Sequence, residues 1–241
     1  VPSTPRPRLA RFADLAALSE AVAEETIALC RSRQAEGAVP CLVLTGGSGG
    51  AAVLAALAAH PELRTVDWRR VRLLWGDERW VPAGHPERND RLADETLLAA
   101  VAHDPALVHR VPASDSGLDL DGAAAAYAEL VDGLERIDLV LSGVGPDGHV
   151  ASIFPGRDDL LSATASAIPV RDSPKPPPER VSLTLPALNR AERSWLLAAG
   201  AAKAEAVAGI VAPGPETLPA ARLAGSAETT LWADEAALGA Q

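Results

Sequence analysis

Apolar positions alternate along the chain between two spacings. Ala-rich stretches place larger apolar residues three and four apart among Glu and Asp, and short unbroken apolar runs stand between them. Over residues 14–36, Leu15, Leu18, Val22, Ile27 and Leu29 follow near-helical spacing with Asp14 in position to cap, which predicts a long first helix. Residues 41–45 (CLVLT) are continuously apolar, short enough for a strand buried on both faces, and break at Gly46-Gly47-Ser48-Gly49-Gly50. A helix over 51–59 follows, stopped near Pro61, then a strand over 71–76 that ends in Asp77-Glu78-Arg79. Residues 89–101 read as a helix capped by Asn89 or Asp90, and residues 123–134 as another. The third strong strand, 137–142, runs into Gly143-Val144-Gly145-Pro146-Asp147-Gly148-His149. After a proline-rich connector at 173–178 come strands at 181–185 and 195–199 and a helix at 201–211. Pro213, Pro215 and Pro219 interrupt the remainder, where only 229–232 reads as a strand.

This alternation from end to end predicts an α/β fold, a sheet with crossover helices rather than separate α and β domains. At 241 residues and about 150 per domain, the length allows one large domain or two small ones; the chain is read as one, over residues 1–241. In open sheets of this kind ligands sit at the carboxyl ends of the strands. The three loops after the strong strands are therefore expected to meet around one crevice.

Apolar residues make up 48% of the chain and charged residues 22%, enough to bury a full core. Acidic residues outnumber basic ones by 32 to 22, a net charge of -10, which disfavours a nonspecific nucleic-acid or polybasic membrane binder. An anionic substrate then needs a local basic pocket. No apolar run approaches the roughly 20 residues that span a bilayer, and the opening VPSTPRPRLARF lacks the apolar region of a secretory signal, so a soluble cytoplasmic protein is expected. There is no methionine, and the start is accordingly expected to be processed or trimmed. Cys30 and Cys41 lie in apolar surroundings without metal-type spacing and are expected to be reduced, structural thiols.

The glycine cluster after the first strand lets the backbone approach a ligand closely and aims free N–H groups and a helix dipole at an anion, with phosphate the natural guest. A tight turn is the plainer reading. The cluster is not a P-loop, because the Gly-Lys-Ser/Thr ending is missing. Residues 47–52 do satisfy G-x-G-x-x-A, with Asp77 as a candidate ribose-binding carboxylate, yet Asp77 lies 28 residues past Gly49 where about 20 is usual. In the second loop, GDERWVPAGHPERND, Arg79 stands out from a mixed-charge cluster: its planar fork can hold a phosphate bidentately, against the plainer reading of a salt bridge to a neighbouring acid. The third loop sets Asp147 two residues before His149 among glycines. An imidazole exchanges a proton near neutral pH, and a nearby carboxylate can orient its ring. His60, His85, His103 and His109 lack such a setting and read as solvated. No third ligand accompanies Asp147 and His149 to make a metal site, and there is no G-x-S-x-G elbow. In Ser173-Pro174-Lys175-Pro176-Pro177-Pro178, the prolines hold a stiff rod that presents Lys175 as a second point charge.

Taken in order, TGGS, GDERWVP, GVGPDGHVASIFPG and SPKPPPERVSLTLPALN resemble the motifs of the glucosamine-6-phosphate isomerase/6-phosphogluconolactonase superfamily, over residues 42–197. VASIFPG after His149 and the GDERWVP loop are similar to its lactonase branch. The cradle continues as Gly49-Gly50 where relatives carry Thr-Pro or Leu-Val, and the acidic loop reads HPERND where many members have a Ser-Asn pair. The resemblance implies a three-layer αβα fold with a modified Rossmann-like, mostly parallel sheet. It further implies hydrolysis of 6-phospho-D-glucono-1,5-lactone to 6-phospho-D-gluconate in the oxidative pentose phosphate pathway, with no metal or organic cofactor. Gly46, Gly47 and Ser48 would cradle the 6-phosphate, Arg79 and Lys175 supply positive charge, and His149 act as general base with Asp147 as its supporting acid. Asp77 and Asn89 carry over as further substrate-binding positions; Arg88 does not. The implied partner is a small sugar-phosphate lactone, with no nucleic acid, membrane or obligate protein partner. The rival activities are a sugar-phosphate isomerase or deaminase using the same cradle, a dinucleotide-dependent dehydrogenase, and a noncatalytic sugar-phosphate sensor.

Overall fold

A computed structural model of the protein describes residues 6–212 and 217–239. In chain order the elements are β1 (Arg8–Phe12), α1 (Leu15–Ala35), β2 (Cys41–Leu44), α2 (Gly47–Ala59), β3 (Arg72–Trp75), β4 (Asp77–Arg79), α3 (Asn89–Glu95), α4 (Leu97–Ala100), α5 (Leu120–Asp132), β5 (Ile137–Gly143), α6 (Asp158–Leu161), β6 (Ala167–Val170), β7 (Arg180–Leu183), α7 (Leu185–Leu188), β8 (Ala191–Ala198), α8 (Ala204–Val211) and β9 (Glu228–Asp234). Six strands form one sheet in the order β1-β9-β8-β5-β2-β3, and every pairing in it is parallel. The other three form a small antiparallel sheet, β4-β7-β6.

The central strands are apolar at almost every position because both faces of a parallel sheet are covered. Leu42, Leu44, Leu139, Leu141, Leu197 and Trp232 belong to the core on the α1 and α2 side. Val43, Leu74, Val140, Leu196 and Leu231 belong to the opposite core, shared with α5, α8 and the small sheet. The result is three layers, as the resemblance implied. Along the main sheet the order of connection reverses between β2 and β5: the chain leaves β2 for β3 on one side and returns with β5 on the other. A crevice opens outside the strand ends at such a reversal.

Several boundaries differ from the sequence expectation. The helix expected from residue 51 begins at Gly47, since Gly46 takes the N-cap position and the following glycines form the first turn. The helix expected over 89–101 is two helices, broken at Thr96 with φ -120° and ψ -95°. Asp77-Glu78-Arg79, read as a loop, is strand β4, and its partner β7 lies outside the main sheet. Strands β1 and β6 escape the apolar pattern. RLARF carries two arginines on an edge, and AIPV carries Pro169 on the edge strand of the small sheet, where a missing N–H is tolerated. Pro213 and Pro215 lie outside the described residues. Cys30 and Cys41 are free, fully buried, and pushed up by burial, as inert structural thiols are. No helix of the described residues is long and apolar enough to cross a membrane.

The end of β3 is held from the other layer. Tyr127 of α5 is fully buried, and its hydroxyl accepts from Trp75 N at 2.9 Å and donates to Trp75 O at 2.8 Å. The edge of the sheet is thus satisfied where the chain turns away at Gly76 to build β4. Tyr127→Phe strands both Trp75 groups and is expected to cost about 1–3 kcal/mol in chemical denaturation. A loss below about 0.5 kcal/mol, the size of an ordinary surface change, would show that the hydroxyl holds nothing.

Candidate active site

At the reversal point lies a cleft of about 300 Å³, bounded by the turn after β2, the start of β4, the loop after β5 and the segment before β7. Its floor is stitched by Gly143 N donating to Thr45 Oγ1 at 3.2 Å. Of the positions singled out in the sequence, Gly46, Gly47, Ser48, Asp77, Arg79, Asn89, His149 and Lys175 all line it. Asp147 stands behind His149, with its Oδ1 2.5 Å from the ring Nδ1.

The turn after β2 works by close approach. A Cβ on Gly46 would fall 1.8 Å from Asn89 Oδ1, so only glycine lets the Asn89 side chain lie against this backbone. Asn89 is itself fixed, its Nδ2 donating to Asp77 O at 2.9 Å. Gly46 offers no side-chain cap to α2, which leaves the first-turn N–H groups of a 13-residue helix facing the cleft, an arrangement suited to an anion.

Strand β4 sends alternate side chains to different duties. Glu78 is buried and accepts from the backbone N–H groups of Arg79 at 2.8 Å, Asn89 at 2.7 Å and Asp90 at 2.9 Å, which ties α3 to the strand. Burial pushes its carboxyl up to about 7, against the opposing pull of Arg88. Arg79 donates from Nη1 to Glu87 O at 2.5 Å, while its buried Nε has no protein acceptor among the described residues. Among the described residues, the salt bridge weighed in the sequence does not form at Arg79. Arg88 makes one instead, a buried pair to Asp90 at 2.7 Å that also donates to Val111 O. Asp77 is also buried, and its Oδ2 accepts from Ser152 Oγ at 2.6 Å. That carboxylate is engaged within the protein rather than held out for a ribose.

The loop after β5 folds on itself, with Gly145 N donating to His149 O at 2.8 Å and Gly148 N to Gly145 O at 2.9 Å. A Cβ on Gly145 would lie 1.9 Å from His149 Nδ1, so the imidazole and Asp147 occupy the volume a side chain would take. Phe154 supports the ring from beneath, centroids 4.8 Å apart. Burial lowers the His149 pKa below its ordinary value; Asp147 opposes this, and Lys175 adds to it. Burial also acts to raise Asp147, but the hydrogen bond and charge of His149 outweigh it and hold that carboxyl low. With Asp147 ionised, Nδ1–H donates to it and Nε2 is left with a lone pair to accept a proton.

Two charged cleft residues went unmarked in the sequence, Arg180 and Lys203. Burial lowers the pKa of both, and the proximity of Lys175 lowers Lys203 further. Arg180 opens a strand, where a charged residue reads as solvated edge, and Lys203 precedes an ordinary-looking Ala-rich helix. The one available sign for Arg180 was its place two residues after the proline run that presents Lys175.

The family model for glucosamine-6-phosphate isomerases/6-phosphogluconolactonase matches residues 13–232. The chain is 43% identical over 247 residues to a 6-phosphogluconolactonase of Streptomyces coelicolor, covering 98% of this chain and 94% of that protein. Its fold is similar to that of the 6-phosphogluconolactonase of Thermotoga maritima, with TM-score 0.82 and 27% identity over 95% of this chain and 100% of that one. It is also similar in fold to a monomeric glucosamine-6-phosphate deaminase, with TM-score 0.83 at 18% identity, covering 97% and 100% of the two chains.

The Asp147–His149 pair carries a measurable sign. Asp147 raises the imidazole against burial, so Asp147→Ala is expected to move the His149 pKa further below 6.5, read by NMR titration of the ring protons. An unchanged or higher value would show that the carboxylate does not act on the ring.

Proposed function

The chain belongs to the glucosamine-6-phosphate isomerases/6-phosphogluconolactonase family, and on that premise we propose that it hydrolyses 6-phospho-D-glucono-1,5-lactone to 6-phospho-D-gluconate with His149 as general base. The observation that carries this reading is the His149–Asp147 pair on one wall of the cleft, opposite a helix N-terminus and Arg79. The first turn of α2 and the fork of Arg79 hold the 6-phosphate, and Lys175 adds a second point charge from the proline strap. Held at that end, the lactone presents C1 to a water on His149. Nε2 takes a proton from the water as its oxygen bonds to C1, giving a tetrahedral oxyanion. When this collapses, the C1–O5 bond breaks and O5 takes the proton back from the imidazolium. The step is written without metal or organic cofactor.

The electrostatics suit the task. The chain carries a net charge of -10, yet Arg79, Lys175, Arg180 and Lys203 converge on this cleft, so an anionic substrate is drawn to one place. The lowered pKa of His149 keeps the ring neutral, and so able to accept a proton, at pH 7. We assign residues 1–241 to one domain, acting in the cytoplasm on a small sugar-phosphate lactone with no nucleic acid, membrane or obligate protein partner.

A coupled assay with freshly generated lactone, corrected for spontaneous opening, tests the reaction. Ammonia release from glucosamine 6-phosphate in place of lactone opening would overturn it. His149→Ala is expected to lower kcat by about 10²- to 10⁴-fold in a folded protein; near wild-type turnover would remove the histidine from the mechanism. The kcat/KM for the lactone, which reports the free enzyme, should fall as pH drops through a value below 6.5, where the lowered imidazole takes up its proton. A profile flat to well below that point would contradict the role. Arg79→Ala and Lys175→Ala should chiefly raise KM, because the phosphate is bound in ground and transition states alike. A loss confined to kcat would contradict the phosphate assignment.

A further inference from the structure

Arg180 is only 4% exposed, although it carries a charge and lines the cleft. Its Nη2 donates to the carbonyls of Lys175 at 2.9 Å and Pro176 at 3.4 Å, and its Nε to the carbonyl of Pro177 at 3.2 Å. Nη1 reaches Ser152 Oγ at 3.4 Å and lies 3.8 Å from Asp77 Oδ2. The guanidinium carbon stands 6.0 Å from the centroid of Phe154, the ring that supports His149.

These contacts answer a specific need. Prolines 176 to 178 have no N–H, so this stretch of backbone has no donors of its own with which to pair into a sheet. Its carbonyls still require donors, and a planar fork of five N–H groups can serve several at once, as a lysine ammonium on a flexible stem cannot. The segment is closed at its base by Ser173 N donating to Pro178 O at 3.0 Å. Lys175 is exposed, and its ammonium has no protein acceptor among the described residues, so its place over the cleft depends on the backbone that carries it.

We infer that Arg180 is a positioning residue: it fastens the strap of residues 173–178 to the wall formed by Asp77, Ser152 and Phe154, and so sets the Lys175 ammonium over the cleft. The inference rests on the lactonase reading for its assay. The alternative is that Arg180 binds the substrate anion directly, independently of Lys175.

A double-mutant cycle separates the two, using Lys175→Ala, Arg180→Lys, Arg180→Met and the two combinations, with kcat/KM for the lactone and thermal melting measured for each. Arg180→Lys and Arg180→Met are each expected to lower kcat/KM about 10- to 100-fold, mainly through KM, and less than about twofold once Lys175 is already Ala. Arg180→Lys keeps the buried charge beside Asp77 and carries the cycle should Arg180→Met unfold. Losses that multiply in the double variants, or wild-type kcat/KM in Arg180→Lys, would overturn the inference. An unmodified protein that opens no lactone would instead defeat the functional reading on which the assay depends.

Discussion

Two arginines sit directly opposite one another in the antiparallel pair β4–β7, Arg79 against Arg180. Like charges at such positions repel, and both side chains are drawn into the wall of one cleft. The arrangement persists because acceptors surround it: backbone carbonyls of the proline strap and of Glu87, and the carboxylate of Asp77. None of these neutralises both cations. The two differ in what they are given: Arg180 is taken up by the strap carbonyls and Asp77, whereas the Nε of Arg79 keeps no protein acceptor among the described residues.

The rest of the site is arranged around that pair. Asp77 and Arg79 enter on β4 because the chain leaves the main sheet after Trp75, where Tyr127 closes the edge. Glu78, between them, points the other way and anchors α3, which brings Asn89 against Gly46. The glycine turn after β2 and strand β4 are therefore braced against each other through Asn89. Across the crevice the loop after β5 is self-contained, held by its own backbone hydrogen bonds and by the volume that Gly145 vacates for the imidazole. The glycine turn with β4 and the His149 loop thus rest on separate supports, joined by Arg180 through the strap and Phe154.

How legible each part was follows from how local it is. The three loops that meet at the cleft were readable because each follows a strand buried on both faces, and such strands are continuously apolar. Asp147 and His149 were readable because their pairing spans two residues. Strand β4 was not, since three charged residues in a row carry no strand pattern and are extended only because β7, a hundred residues later, offers them partners. Arg180 was passed over for the same reason. Its burial is a consequence of neighbours contributed by the strap, β4 and the loop after β5. The start of α2 was misplaced because glycine is a poor helix former, and here the N-cap geometry of Gly46 overrides propensity.

The order of residues by itself determined the alternation of a sheet with crossover helices, the crevice at the strand ends, and the kind of chemistry each loop offers, because hydrophobic periodicity and short-range spacing are local properties of a chain. Tertiary structure alone decided that Arg180 and Lys203 join Arg79 and Lys175 in the cleft, that Arg88 rather than Arg79 is buried in a pair with an acid, and that Arg180 is buried under the strap. Those outcomes are set by contacts between residues far apart in sequence, where distance and desolvation act and no local pattern reaches.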